Sequence, residues 1–186
     1  MKKRCSWCGD DPLYVAYHDD EWGVPVRDDD QLFEFLILET FQAGLSWITV
    51  LRKRENFRKA FDQFDYKKIA NYSQKKIDSL LQDAGIIRNK LKIHATISNA
   101  VAFMEVQKEF GSFSEYIWGF VDGVPVKNNC KELTDVPANT PLSDTLSKDL
   151  KKRGFKFVGT TVVYAHMQAT GMVNDHVTDC FRYHEV

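Results

Sequence analysis

Cys5 and His18 near the start of the chain, and His176 and Cys180 near its end, are the residues best suited to bind a metal. Thiolate and imidazole are the ligands zinc prefers, and four of them close a tetrahedral structural site. The spacing of His176 and Cys180 is i, i+4, which on a helix turns both side chains the same way. Four ligands on one ion would tie the chain ends together and leave no position for water. Such a metal is architectural. A plainer reading stands beside it: cysteine is often a small buried hydrophobe, and His176 could be a surface imidazole. Cys8 is also a competitor, because Cys5, Ser6, Trp7 and Cys8 form a CxxC that could serve a zinc ribbon or a redox pair. No second CxxC occurs.

Glu39 is the second unusual group. It follows Phe35, Leu36, Ile37 and Leu38 and precedes Phe41, so its surroundings should be apolar. A carboxylate there is costly unless it is hydrogen-bonded. Either it turns to solvent or caps a neighbouring helix, or it accepts from donors on a ligand. Trp47 begins the next helix after the break Ala43, Gly44, Leu45, Ser46. Trp7, Tyr14, Tyr17 and Trp22 crowd the N-terminal region. Flat aromatic faces with polar handles around one carboxylate suit a planar heterocycle, best a cationic one.

A third constellation runs from Leu80 to Arg88: a short helix, a turn at Gly85, and the start of a longer helix. Such a turn can present backbone N–H groups to a phosphate, with Arg88, Lys90 and Lys92 adding charge. The net charge of −1 gives no global pull toward nucleic acid. Basic clusters at Arg52–Arg54, Arg88–Lys92 and Lys148–Lys156 nevertheless leave room for a local phosphate-binding face.

Helices must position these groups. Apolar periodicity predicts helices over Asp28–Gln42, Ser46–Phe64, Arg88–Phe110, Ser143–Arg153 and Thr160–Thr170, with a short one from Ser73 through Leu81. Asp122–Pro141 reads as a loop. Leu13–Tyr17 and Phe155–Val158 are isolated strand candidates. The class expected is all-α, one compact unit over 1–186: a helical core, 28–172, and a terminal region made of 1–27 with 173–186. No apolar run approaches the roughly 20 residues that span a membrane, no apolar signal stretch follows Met1, and the sparse cysteines suit a reducing compartment. A cytoplasmic monomer is expected.

The segments Asp11–Pro25, Gln42–Leu51, Asp83–Arg88, Lys151–Thr161 and Gly171–His176 resemble bacterial DNA-3-methyladenine glycosylase I, a divergent branch of the helix-hairpin-helix DNA glycosylases. The likeness runs essentially end to end. It implies a helix-hairpin-helix glycosylase fold, one structural zinc on Cys5, His18, His176 and Cys180, and a base pocket of Glu39, Trp47, Tyr17, Tyr14 and Trp7. It also implies that Gly44 and Leu45 fill the gap left by a flipped base, and that Gly85, Arg88, Lys90 and Lys152 meet DNA. The partners implied are double-stranded DNA with alkylated bases, and 3-methyladenine as product. Cys8 is an extra thiol beside the metal, and Ala165 stands where some members carry serine.

One absence agrees with this. Many glycosylases of the wider superfamily place an aspartate shortly after the hairpin, yet none occurs from Ala84 to Val121. A base methylated at N3 is cationic and leaves readily, so flipping it, gripping it and admitting water should suffice. The expected activity is monofunctional hydrolysis of the N-glycosidic bond, leaving an abasic site, with the pocket away from the ion. A catalytically silent base-binding module, or a hydrolase using a catalytic zinc, would be the alternatives.

Overall fold

Residues 2–186 are described by a computed structural model. The helices are α1 (Pro12–Asp20), α2 (Asp29–Gln42), α3 (Trp47–Ala60), α4 (Tyr66–Ile69), α5 (Gln74–Gln82), α6 (Lys90–Phe110), α7 (Phe113–Trp118), α8 (Pro141–Lys152) and α9 (Thr160–Ala169). Two-residue strands β1 (Val126–Lys127) and β2 (Val173–Asn174) pair in parallel, Val126 opposite Val173. The molecule is therefore mostly helical rather than all-α.

α2 is the central helix. Phe35 through Phe41 are all buried, so this stretch has no solvent face. It packs on α3, α6, α7 and α9. Asp28 caps its start by accepting from the Gln31 amide at 3.0 Å. Asp29 accepts from the amides of Phe113 and Ser114 at 2.9 and 2.8 Å, which satisfies the N-terminus of α7.

Several expectations need correction. Leu13–Tyr17 lies inside α1, where Pro12 at the first position and the Asp11 cap override the short apolar and aromatic run that read as a strand. Phe155–Val158 forms no strand; Phe157 there has φ +57°, and Asn99 and Ser147 hold the backbone of its neighbours Lys156 and Val158. The second predicted helix stops at Ala60, because Asp62, Gln63 and Phe64 turn left-handed at φ 52°, 59° and 56°. His176 and Cys180 are not on a helix; a turn after β2 brings them together. The loop 122–141 contributes β1, and its Cys130 carbonyl accepts from Thr178, so it joins the terminal region.

The chain ends meet because backbone passes very close to backbone. Gly171 has φ +72°, and a Cβ there would lie 2.5 Å from Pro25 N and Val24 C. Only glycine satisfies both the torsion and the space. Phe181 N donates to Lys3 O at 2.9 Å across the same seam. No helix among the described residues is long and apolar enough to cross a membrane.

Candidate functional site

Glu39 sits within the solvent-free stretch of α2 and is 3% exposed. The surface and capping readings are thereby excluded: Oε2 is buried with no donor among the described residues. Burial pushes its carboxyl up to about 8. It opens on a cavity of about 230 Å³ walled by Trp7, Tyr14, Tyr17, Trp22 and Trp47. Trp47, the first residue of α3, also buries an indole N–H with no acceptor. Its ring lies 5.5 Å from that of Tyr17. Burial, and then the Glu39 carboxylate, hold the Tyr17 phenol well above its usual range, so it stays an O–H donor.

All five residues expected to form a base pocket therefore converge. Their single carboxylate, a phenol and an indole N–H face one flat space between aromatic walls, the make-up of a site for a planar heterocycle. Gln42, Trp22, Leu133, Val136, Ala165 and Gln168 complete the lining. Gln42 follows Glu39 by one helical turn, and that i, i+3 spacing could have found it. Leu133 and Val136 come from a loop without periodicity, and no sequence signal marked them. Asp175 accepts from Gln168 Nε2 at 2.8 Å and from the Tyr164 hydroxyl at 2.7 Å, fixing the Gln168 amide at the pocket wall.

Cys5, His18, His176 and Cys180 are all buried, and their ligand atoms lie within 4.8 Å of one another. Cys5 Sγ is 3.5 Å from His176 Nδ1; Cys180 Sγ is 3.5 Å from His18 Nε2 and 3.6 Å from His176 Nδ1. A tetrahedral ion with bonds of about 2.3 Å to sulfur and 2.0–2.1 Å to nitrogen separates the two by about 3.5 Å, so the residues fit a metal. The outer nitrogens are also engaged: His18 Nδ1 with Asp19 at 2.8 Å, and His176 Nε2 with the Trp22 carbonyl at 3.0 Å. These bonds leave the inner nitrogens as ligands. Burial holds His176 down to about 4, so it is neutral at neutral pH. Burial also pushes the Cys5 thiol up to about 12, so a thiolate there needs a cation beside it. Cys8 lies outside the cluster, its Sγ donating to Cys5 O at 3.1 Å.

The pocket is not remote from this cluster. None of the four residues lines it, but Trp7 does, 5.3 Å from the His18 ring, as does Trp22, 4.6 Å from the His176 ring. The two centres are one layer of aromatic rings apart, because the segments that carry the metal ligands also carry the pocket walls.

Of the residues expected to meet DNA, Gly44 and Leu45 are exposed in the break between α2 and α3, and Gly44 takes φ +83°. Leu45, a large apolar side chain, is 42% exposed. Arg88, Lys90 and Lys152 are exposed. Gly85 sits in a tight space: a Cβ would lie 3.0 Å from Asp83 Oδ1, and its amide already donates to that oxygen at 2.7 Å. Lys92 is not part of a charged surface; it is buried and turned inward. The Arg52–Arg54 cluster is likewise consumed, Arg52 by Asp11, Lys53 by the Ala84 and Gly85 carbonyls, and Arg54 by Glu21.

The family model for methyladenine glycosylase matches residues 7–183. The DNA-3-methyladenine glycosylase 1 of Escherichia coli K12 is 52% identical over 181 residues, covering 97% of each chain. A crystal structure of 3-methyladenine DNA glycosylase I (TAG) superposes with a TM-score of 0.94 at 55% identity, covering 96% of this chain and 98% of that one. A tyrosine-to-phenylalanine variant of such an enzyme, solved in complex with 3-methyladenine, superposes with a TM-score of 0.93 at 35% identity, covering 96% of each chain. With a matched model spanning nearly its whole length and relatives this close, the chain belongs to the methyladenine glycosylase family.

Proposed function

We infer that the protein is a DNA base-excision repair glycosylase that flips 3-methyladenine out of alkylated DNA and hydrolyses its N-glycosidic bond, leaving an abasic site. The observation that carries this is the pocket: one buried, unpaired carboxylate between aromatic walls, in a chain of this family. The Glu39 carboxylate accepts from the exocyclic amine of the extruded base, Trp47 stacks on it, and Tyr17 donates to a ring nitrogen. Tyr14 and Trp7 close the far wall. Cation–π attraction of about 0.5–2 kcal/mol per face favours the methylated ring over a neutral one.

Hydrolysis breaks the bond between sugar C1′ and base N9. The bonding pair leaves with the base and discharges it, and a water oxygen joins C1′ and loses a proton. The leaving group is therefore neutral and needs no acid. Glu39 is the one carboxylate among the described lining residues, and it is engaged with the base. The described lining residues include no lysine, and the reaction is read as monofunctional hydrolysis with no strand-cleaving step.

Zinc is the metal that suits two thiolates and two imidazoles in a tetrahedron. Held by Cys5, His18, His176 and Cys180, it would supply folding energy to a terminal region made of 1–27 with 173–186. Four protein ligands leave no position for a reacting water, against a metal-based hydrolase. The α5–α6 hairpin is read as the helix-hairpin-helix element, with Gly85, Arg88 and Lys90 at the phosphates and Lys152 on a second basic segment; Gly44 and Leu45 fill the stack behind the flipped base. The protein is read as a monomer working on chromosomal DNA in the cytoplasm.

The test is base release from methylated duplex DNA. 3-Methyladenine should be released efficiently and 7-methylguanine poorly. Guanine offers a carbonyl oxygen where adenine offers an amine, and two opposed acceptors cost about 1–3 kcal/mol or more. Comparable release of both bases would sink the role given to Glu39.

A further inference from the structure

Lys92 lies in the first turn of α6, directly after the α5–α6 turn, yet its side chain runs into the protein and is 6% exposed. Its ammonium donates to the carbonyls of Phe41 at 3.0 Å and Ala43 at 2.9 Å. Phe41 belongs to the last turn of α2, where carbonyls have no intrahelical partner. Ala43 lies beyond the helix, in the break where the chain turns through Gly44 at φ +83° to expose Leu45. One cation therefore bridges both sides of the break. It also complements the negative end of the α2 dipole. Burial lowers the Lys92 pKa, and no carboxylate forms a salt bridge with it among the described residues. A buried ammonium without a carboxylate is costly. Its two short, charge-assisted bonds to this one break are what offset that cost.

The other end of the same turn faces the opposite way. Asn89 caps α6 by accepting from Lys92 N at 3.1 Å, and Arg88, Lys90 and Leu91 are exposed around it. The hairpin itself is clamped on α3, since Lys53 and Asn56 donate to the Gly85 carbonyl, each at 3.3 Å. The element that would grip phosphates and the loop that would enter the base stack are thus joined by one buried side chain.

We propose that Lys92 is a positioning residue, a strut that holds the Ala43–Leu45 break in its protruding shape and sets the Leu45 side chain relative to the α5–α6 hairpin. The proposal rests on the reading of Leu45 as the group that fills the flipped base's place. It separates Lys92 from the exposed lysines beside it. Lys92 acts through the loop and never through contact with phosphate or base.

A double-mutant cycle tests it, with wild type, Lys92→Met, Leu45→Gly and the double variant. The readouts are single-turnover release of 3-methyladenine from methylated duplex DNA and binding of free 3-methyladenine followed by tryptophan fluorescence. Each single variant should lose about tenfold in release, because Lys92→Met leaves buried carbonyls unpaired and the loop free to relax. The double variant should lose about as much as either single, since residues acting through one device are not additive. Free-base affinity should stay within about twofold throughout, as Glu39 and the aromatic walls are untouched. Multiplied losses of about a hundredfold in the double variant would overturn the strut while leaving the Leu45 reading in place. Full release by Leu45→Gly would overturn that reading and the proposal with it. Parallel loss of free-base binding in Lys92→Met would reduce Lys92 to a fold residue. If Lys92→Met does not fold, Lys92→Gln, which keeps an amide donor, replaces it in the cycle; failure of both to fold would likewise overturn the proposal.

Discussion

Two buried polar constellations lie one aromatic layer apart, and they differ in how their atoms are satisfied. In the metal cluster every ring nitrogen of His18 and His176 has a neighbour, either a cysteine sulfur inward or Asp19 and the Trp22 carbonyl outward. Asp19 is itself held by Arg4 at 2.7–3.0 Å, which with His18 keeps its carboxyl down at about 2. In the pocket, Glu39 Oε2 and Trp47 Nε1 have no partner among the described residues. Folding has arranged the first set for itself and the second for something else. A closed polar network is architecture; an open one beside a cavity is a binding site held at a cost in stability.

The largest effect should come from breaking the closed network. Cys180→Ser removes a ligand of the proposed zinc and exhaustive chelation removes the ion itself, and metal bound at such a site supplies folding energy. A loss of about 4 kcal/mol would lower the melting temperature by roughly 8–16 °C for a chain of this size. Calorimetry with elemental analysis checks this. A chain with no bound zinc and unchanged melting would refute the structural metal.

Breaking the open network should do the reverse to stability. Glu39→Gln keeps the shape but removes the carboxyl that becomes a charged acceptor when a cationic base enters and displaces its proton, so release of 3-methyladenine should fall about 10- to 100-fold, the worth of a hydrogen bond to a charged group. The fold should gain. Between the ordinary value of 4.5 and about 8, folded Glu39 holds a proton that the unfolded chain has released. Its contribution to stability is therefore full below the first value and lost as pH rises through the second, by about 1.4 kcal/mol per pH unit at the steepest. The melting advantage of Glu39→Gln should widen from pH 5 to pH 8 and then level. An advantage that stays flat across that window would contradict a carboxyl raised by burial.

The smallest effect sharpens the rule by its exception. Neither ring nitrogen of His166, on α9, has a partner among the described residues, and His166 is not among those that line the pocket. Burial holds it down to about 3, so it is a neutral ring at working pH. His166→Phe keeps a flat ring and removes two uncompensated nitrogens. Release should stay within about twofold and stability should change by less than about 1.5 kcal/mol. A large loss of release would give His166 a part in the chemistry that its position does not suggest.

Much of this was legible in the residues. The amphipathic spacing located five long helices, because burial of one face repeats at a period that a sequence displays. Ser73 starts α5 by capping it with its side-chain oxygen, and Gly111 ends α6 at φ +91°, both roles that their residue types favour. The ligand types of Cys5, His18, His176 and Cys180 announced a buried cluster that could hold a metal, and an acid inside an apolar run announced Glu39, since both violate the ordinary logic of burial. Short helices were lost, α1 to a short apolar and aromatic run that read as a strand and α4 and α7 to their few residues, too short for a period to register.

Tertiary structure decided the rest. Only packing could show that the Phe35–Phe41 stretch of α2 has no wet face, which turned Glu39 from a potential cap into an orphaned acceptor. Only the close pass of Gly171 over Val24 and Pro25 explains how the two ends of the chain meet, and only a turn, not a helix, brings His176 and Cys180 together. Lys92 reads in sequence as one of three basic residues beside a DNA-gripping turn, and its neighbours are indeed exposed. Which lysine turns inward depends on carbonyls fifty residues away, and those become its neighbours only when the helices pack. Local chemistry is written in residue types; which partner answers each group is set by long-range contacts that no single stretch of chain encodes.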